Sequence, residues 1–361
     1  MTGVIADRPA AAPASELEPR LAEHRRELTG YCYRMLGSSF DAEDAVQETM
    51  VRAWRSLDRL QGAGALRSWL YRIATNVCLD ALDGRKRRAL PVDLSAEPFA
   101  PVESSLDGVL PDGAWVEPAL DRQVLPVGGD PADVAVQRES VRLAFIAALQ
   151  FLPPRQRAVL ILREVLRWKA DEVAGLLETS VAAVNSALQR ARATLAAQQA
   201  TADQAAPMVT EDQADLLDRY LDAFARYDIE ALVALLHEDA VMDMPPYAMW
   251  LRSSADIAQW LVGPGAGCRG SHVVPIELNG SPAFAQWRPS GPGGSFEPWA
   301  VHVLEMSGGR IVRMTAFLGP RLFDLFDLPR HPTPALTPGS DEFPAPPGST
   351  SHDRDLDLPA T

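Results

Sequence analysis

Residues 41–55 read DAEDAVQETMVRAWR, acidic at the front, basic at the back, with apolar residues threaded between. The pattern predicts a helix. Asp41 is a good N-cap, and Asp44 stands three residues on, where a capping box would place its second member. Early acids and the late Arg52 and Arg55 both complement the helix dipole. Glu48 and Arg52 are spaced to pair at i,i+4. Val46, Met50, Ala53, Trp54 and Leu57 fall on one stripe, so that side is predicted to be buried. The polar side is open to two readings, a solvated face or a docking face, and the flanking sequence has to separate them.

Upstream, LAEHRRELTGYCYRMLG (21–37) spaces Leu21, Leu28, Cys32 and Met35 near a helical period, and Gly37 closes it. Downstream, the loop LQGAGA (60–65) leads into LRSWLYRIATNVCLDAL (66–82), a third amphipathic helix followed by the basic run Arg85-Lys86-Arg87-Arg88 and stopped by Pro91. Residues 91–136 hold many Pro, Gly, Asp and Glu and show no period, which predicts an acidic flexible linker. A second helical unit spans 137–198. Its end reads DEVAGLLE, a turn at Thr179-Ser180, then VAAVNSALQRARATLA. That is a helix-turn-helix pattern, with Ala174 as the small crossing residue and Val173, Leu176, Leu177, Val181, Val184 and Leu188 as core.

After a polar, alanine-rich hinge (199–207), residues 208–328 change character. Helices are predicted within 211–237 and 253–262. The apolar runs HVVPIELN, AFAQW, PWAVHVLEM and IVRMTAFL, with a Ser-Gly-Gly turn at 307–309, then predict an antiparallel sheet. The tail, 329–361, is rich in Pro, Gly and Ser and is predicted to be disordered. The fold class is multidomain: two all-α units, then an α+β domain.

The chain of 361 residues carries a net charge of −14, which argues against nucleic acid only if the average is taken at face value. Residues 1–90 are net +2, 91–136 net −8, 137–196 net +4 and the remainder net −12. Two mildly basic units thus flank an acidic linker. Cys32, Cys78 and Cys268 form no CxxC or Cys/His cluster, so no metal, cofactor or disulfide framework is expected. The N-terminus lacks the apolar core of a signal peptide, and no apolar run has membrane-spanning length, so a cytoplasmic location is expected.

RMLGSSFDAEDAVQETMVRAWRSL followed by LRSWLYRIATNVCLDAL and RKRR resembles the first conserved domain of the extracytoplasmic-function sigma factors of bacterial RNA polymerase (16–90 here). LPPRQRAVLILREVLRWKADEVAGLLETSVAAVNSALQRARATL resembles their second (137–198). The resemblance implies a partner, core RNA polymerase, held through the β′ clamp coiled coil and the β flap, and a second partner, promoter DNA. It assigns Asp41, Asp44, Gln47, Glu48 and Arg52 to the polymerase-docking face, with Trp54 and Met50 in the domain core. It implies that the loop Leu60–Leu66 and the face bearing Arg67, Arg72, Asn76 and Asp80 receive the flipped base of the −10 element. Arg85, Lys86, Arg87 and Arg88 would then meet phosphates, or Arg87 and Arg88 would be a solvated helix end. It assigns Ala182, Ala183, Asn185, Ser186, Gln189, Arg190 and Arg192 to the −35 element. Two departures stand out: Glu178 occupies a position where relatives often carry glycine, and Asn185 and Ala187 replace basic residues. The linker either threads the polymerase's nucleic-acid channels or is a solvated tether.

Residues 208–328 resemble the SnoaL-like cone fold. The resemblance suggests Asp243, Tyr247, Arg252, Asp256, His272 and His302 as catalytic candidates, none with a fixed triad spacing. Tyr247, Trp250, Trp260, Trp287, Trp299 and His302 are candidate walls of a pocket for a small apolar ligand. The expected function is a non-enzymatic sigma factor that directs promoter recognition and melting, with its C-terminal domain regulating it in cis. The alternative is a SnoaL-like small-molecule-converting enzyme, of the isomerase, cyclase or hydrolase type, fused to DNA-binding domains.

Overall fold

The computed structural model describes residues 14–56, 65–199, 211–290 and 295–332. Most of the loop at 60–66, the hinge after residue 199 and the tail from 333 lie outside them.

Helices α1 (Ala14–Leu36), α2 (Ser39–Arg55) and α3 (Leu66–Leu82) form the first bundle, closed by Leu28, Cys32, Val46, Leu70, Ala74 and Cys78. Two local readings change. Asp41 is not the N-cap: α2 starts at Ser39, and Ser38 Oγ accepts the Asp41 N–H at 3.1 Å. Trp54 is not core but 65% exposed. The buried line of α2 runs through Ala42, Ala45, Val46, Thr49 and Ala53, small residues that let the helices approach closely. Trp54, one position further round, swings away from that line.

The second bundle comprises α6 (Leu143–Gln150), α7 (Pro154–Leu160, extended by a π-turn over Ile161–Val165), α8 (Ala170–Leu176) and α9 (Val181–Gln199). Helices α8 and α9 make the helix-turn-helix. Its turn requires a left-handed residue, and Glu178 supplies it at φ 51, the position where glycine would be unstrained.

The segment 91–136 is not an extended, solvated chain. It contains α4 (Asp121–Val124) and the start of α5 (Pro131–Glu139), and it buries Trp115, Val116, Ala119, Leu120, Val124 and Leu125. The acids and prolines that suggested a tether are spread along its whole length. The second half carries enough apolar surface to offset the entropy of ordering it.

In the C-terminal domain α10 (Glu211–Arg226) and α11 (Ile229–Leu235) precede β1 (Leu236–Asp243), β2 (Trp250–Arg252) and α12 (Ser254–Val262). Strands β3 (His272–Leu278), β4 (Ser281–Pro289), β5 (Phe296–Ser307) and β6 (Arg310–Leu318) and helix α13 (Arg321–Leu325) complete it. The sheet order is β2-β1-β6-β5-β4-β3. It is mixed rather than antiparallel, because β1 lies parallel to β6. The chain must cross over α12 and the β3–β5 meander before β6 returns beside β1, and such a crossover brings the strands together in the same sense.

Alternation along the strands divides this sheet into two apolar faces. The inner face, with Phe284, Leu304, Met314 and Ala316, packs under α10–α12 as one core. The outer face, with Ala283, Ala285, Trp287, Val301, Val303 and Phe317, belongs to the same continuous core as the two helical bundles. The linker also pairs with both sheet edges: Phe99 N–H donates to the Trp250 carbonyl (2.9 Å), and Leu120 bridges Leu278.

The β3–β4 turn, Asn279-Gly280, enters the junction of these parts. A Cβ on Gly280, whose φ is +63, would stand 2.6 Å from the Arg138 carbonyl oxygen. Gly280→Ala is expected to cost about 1–3 kcal/mol of packing at the junction. The measurement is the urea midpoint together with protease cleavage in 91–136, and a variant as resistant as the parent would refute the close fit.

Candidate docking and nucleic-acid surfaces

On α2, Asp44, Gln47 and Glu48 are exposed or half-exposed, and Glu48 binds Arg52 at 2.6 Å. Beside them stand the exposed Val51 and Trp54, an apolar pair of which the sequence pattern predicts Trp54 to be buried. Asp41 is otherwise engaged: its carboxylate accepts from Arg85 (2.7 Å) and Arg88 (2.8 Å).

This occupies much of the basic run. The Arg88 side chain keeps only 11% exposure and also donates to the Trp115 carbonyl at 2.9 Å, so it faces the linker rather than a phosphate. Arg87 lies over the Phe151 ring at 3.7 Å, and Lys86 is exposed.

The α3 face is turned toward the second bundle. Arg72 donates to the Gly175 carbonyl at 3.0 Å and stands 3.9 Å from Glu178. Arg67 pairs with Glu27 (3.0 Å) and lies 5.2 Å from the ring centroids of both Tyr71 and Trp168. Tyr71 and Trp168 themselves meet at 5.0 Å. Asp80 reaches Arg52 at 3.3 Å, and Asn76 is exposed. By contrast, α9 presents Ala182, Ala183, Asn185, Ser186, Gln189 and Arg190 to solvent, while Arg192 binds Glu164.

Three buried groups lock the bundles and the C-terminal domain together. The Asn279 amide nitrogen donates to Tyr33 Oη (2.6 Å) in the first bundle and to the Val141 carbonyl (2.5 Å) at the entrance to the second. Its Oδ1 accepts the Ala119 N–H of the linker at 2.9 Å, and its own N–H donates back to the Ala119 carbonyl at 3.1 Å. One side chain therefore bonds three separate parts of the chain. Glu117 accepts from Ser38 Oγ, and its carbonyl accepts from Tyr33 Oη at 2.8 Å. Arg157 donates to the carbonyls of Met35, Gln150 and Leu152. Burial lowers the Arg157 pKa to about 10 and raises that of Glu117.

Neither the linker residues nor Asn279 was singled out from sequence. Asn-Gly between two alternating runs is a strong hairpin signal, and it was available. Nothing in the sequence says what such a turn touches.

In the C-terminal domain the candidate residues separate by face. Asp243 lies on the outer face, paired with Arg313 at 3.1 Å beside Thr315. Trp250, opposite Asp243 in register, shares that face. Trp287 packs there on Phe323 and donates to the Pro329 carbonyl at 2.9 Å. Trp250 and Trp287 therefore do not wall the cone: their strand positions have the outward parity. Tyr247, Trp260 and His302 do belong with the inner core, while Trp299 lies under Arg288 at 3.5 Å. Ser253 Oγ caps α12 by accepting the Asp256 N–H, so Asp256 sits in the first turn; Arg252 is at the β1–β2 edge, and His272 is beside Trp287 and Phe296. The six catalytic candidates do not converge. Among the described residues no group of His, Cys, Asp and Glu could hold a metal, and no helix is long and apolar enough to cross a membrane.

Residues 21–88 match the family Sigma-70 region 2, 142–195 match Sigma-70 region 4, and 217–314 match the SnoaL-like domain. The ECF RNA polymerase sigma factor SigG of Mycobacterium tuberculosis is 42% identical over 336 residues, covering 90% of this chain and 88% of the relative. SigJ of the same species is 28% identical over 66% of this chain and 70% of its own length. The crystal structure of SigJ superposes with a TM-score of 0.55 at 22% identity, over 86% of this chain and 98% of that one, and so shares the fold.

The junction has a predictable pH response. Asp121 Oδ1 accepts the Gly280 N–H at 2.8 Å, and burial pushes its pKa from 3.8 up to about 6. A carboxyl raised on folding contributes fully while protonated in both states, and that contribution is lost as pH rises through about 6. Hydrogen-exchange protection of the Gly280 amide, corrected for intrinsic rates, should therefore fall from about pH 4 and level off above about pH 6. Asp121→Asn should remove the step, and an unchanged step would assign it elsewhere.

Proposed function

The chain belongs to the extracytoplasmic-function sigma factors, and from that premise we propose that its C-terminal domain holds the two sigma regions closed on each other until initiation requires them apart. Its general role follows from the family: it directs RNA polymerase core enzyme to promoter DNA and acts as a transcription-initiation factor. The finer assignments are inferences. Asp44, Gln47, Glu48 and Arg52, with the exposed Val51 and Trp54, would form the grip on the β′ clamp coiled coil, and the second bundle would meet the β flap. Working beside polymerase, the protein would act in the cytoplasm.

The observation that carries the closed-state reading is Asn279. Its hydrogen bonds to Tyr33, Ala119 and Val141 join region 2, the linker and region 4 through the C-terminal domain. In this arrangement Arg72 is held by region 4, and Arg85 and Arg88 are held by Asp41. These are residues that the family pattern directs toward the −10 element. The −35-reading face of α9 stays accessible. Closure thus withdraws Arg72, while Asn76, Arg85, Lys86 and the duplex-reading surface of α9 stay exposed. A ligand or partner can open such a state only by binding the open form more tightly, and polymerase would supply that difference.

The acidic linker supports a clasp more than a free tether. Its second half is buried, and its Glu117 is bonded to Ser38 just ahead of α2. The scatter of the catalytic candidates favours this regulatory reading over the enzymatic one.

Two variants test the scheme. Glu48→Lys should weaken binding to core polymerase while leaving circular dichroism and thermal unfolding unchanged; parental affinity would remove Glu48 from the grip. Asn279→Ala, which strands buried polar groups in the closed form, should raise association with core polymerase by about tenfold. It should raise run-off transcription with it. A variant that folds and binds polymerase no better than the parent would sink the latch.

A further inference from the structure

Where region 4 meets region 2, it offers helix α3 three groups of different chemistry. The first is a flat ring: Trp168, 6% exposed, stands 5.0 Å from the Tyr71 ring, and the Arg67 guanidinium lies 5.2 Å from the centroids of both. The second is a neutral acceptor, the Gly175 carbonyl, to which Arg72 donates at 3.0 Å. The third is an anion, the Glu178 carboxylate, 3.9 Å from the same arginine.

The receiving side is preorganised. Glu27 of α1 accepts from Arg67 Nε at 3.0 Å and from Tyr71 Oη at 3.3 Å, so one carboxylate positions both. Tyr31 supports the Tyr71 ring edge-on at 5.2 Å. The offering side is strained in two places. Glu178 sits at φ 51, where glycine would be relaxed, and its side chain is 79% exposed, so it contributes nothing to the core of the helix-turn-helix. The Trp168 indole N–H is buried and has no partner among the described residues. A ring held without its hydrogen bond and an anion on a strained turn suit a contact that has to be given up.

Arginine beside tyrosine is a receptor for a nucleotide. Base faces stack on aromatic and guanidinium planes, base carbonyls accept from arginine, and phosphates pair with it. We propose that region 4 imitates a nucleotide toward α3. Trp168 stands for the base, the Gly175 carbonyl for a base acceptor and Glu178 for the phosphate, so unpaired DNA displaces region 4 by competing for Arg67, Tyr71 and Arg72. Duplex DNA does not compete, because its base faces are covered by their stacked neighbours. The α9 face is exposed throughout. Duplex reading is therefore compatible with the closed form, and strand separation breaks it. That order of events rests on the closed-state reading, whereas the competition at α3 needs only the contact itself.

The test measures binding of a short fluorescein-labelled single strand of mixed sequence, and of its duplex, to the full chain by anisotropy. Glu178→Gly relaxes the turn and Trp168→Leu keeps an apolar core, and each should raise affinity for the single strand by about fivefold. Adding Arg72→Ala to either should cancel the gain. With fluorotryptophan incorporated, the single strand should move the Trp168 fluorine resonance, assigned by its loss in Trp168→Leu, and the duplex should not. No gain in either variant, equal gains for strand and duplex, gains that survive Arg72→Ala, or a static Trp168 resonance would overturn the imitation. Asn279→Ala separates it from the latch. If that variant binds polymerase more tightly while the single strand leaves Trp168 unmoved, the imitation alone fails. If Trp168 moves in the parent but Asn279→Ala gains nothing with polymerase, the latch alone fails.

Discussion

A six-stranded sheet with two apolar faces has to bury both, and this one has three helices of its own on one face but only the five-residue α13 on the other. Helices α10 to α12 cover the inner face. The outer face, from Ala283 to Phe317, is covered by α13, the linker and the two sigma regions, and shares their hydrophobic core. The relation between the domains follows from that constraint. The C-terminal domain is not joined to the sigma regions by a tether alone; its outer core is continuous with theirs. Apolar burial is non-directional, however, and would allow the parts to slide. The Asn279-Gly280 turn removes that freedom, because buried hydrogen bonds at 2.5 to 2.9 Å are satisfied in one register only.

The charged groups follow the same division. Arginines that read as nucleic-acid contacts in the linear sequence are partnered internally: Arg85 and Arg88 by Asp41, Arg72 by the Gly175 carbonyl. Most of these pairs are half-exposed, so each contributes little to stability and is easily exchanged for a phosphate. Buried Arg34 and Arg157 are different. They satisfy carbonyls and side chains at the seams between helices and hold the frame within which the exposed pairs can exchange.

Much of the fold was legible because its signals are local. The helix-turn-helix, the α3 boundaries at Leu66 and Leu82, and the β3 to β6 runs rest on period, caps and breakers, which neighbours in sequence determine. Errors arose where two periodic readings nearly coincide. Trp54 lies one residue from the buried line of α2, and a shift of one residue on a helix is a rotation of about 100°. Trp250 and Trp287 were assigned to the cone by residue type, but strand parity puts them on the opposite face. In the linker, composition outweighed the few apolar residues, Trp115 to Leu125, that anchor it.

The amino-acid sequence by itself determined the family, the three structural units and the helix on which each proposed contact residue stands, since motif spacing within a helix carries all of these. Tertiary structure alone decided which of those residues are free. Whether Arg88 faces phosphate or linker, and whether Asn279 is a surface turn or the point where three parts meet, depend on residues far away in the chain. Tyr33 and Asn279 are separated by 246 positions, and no local pattern encodes a contact between them.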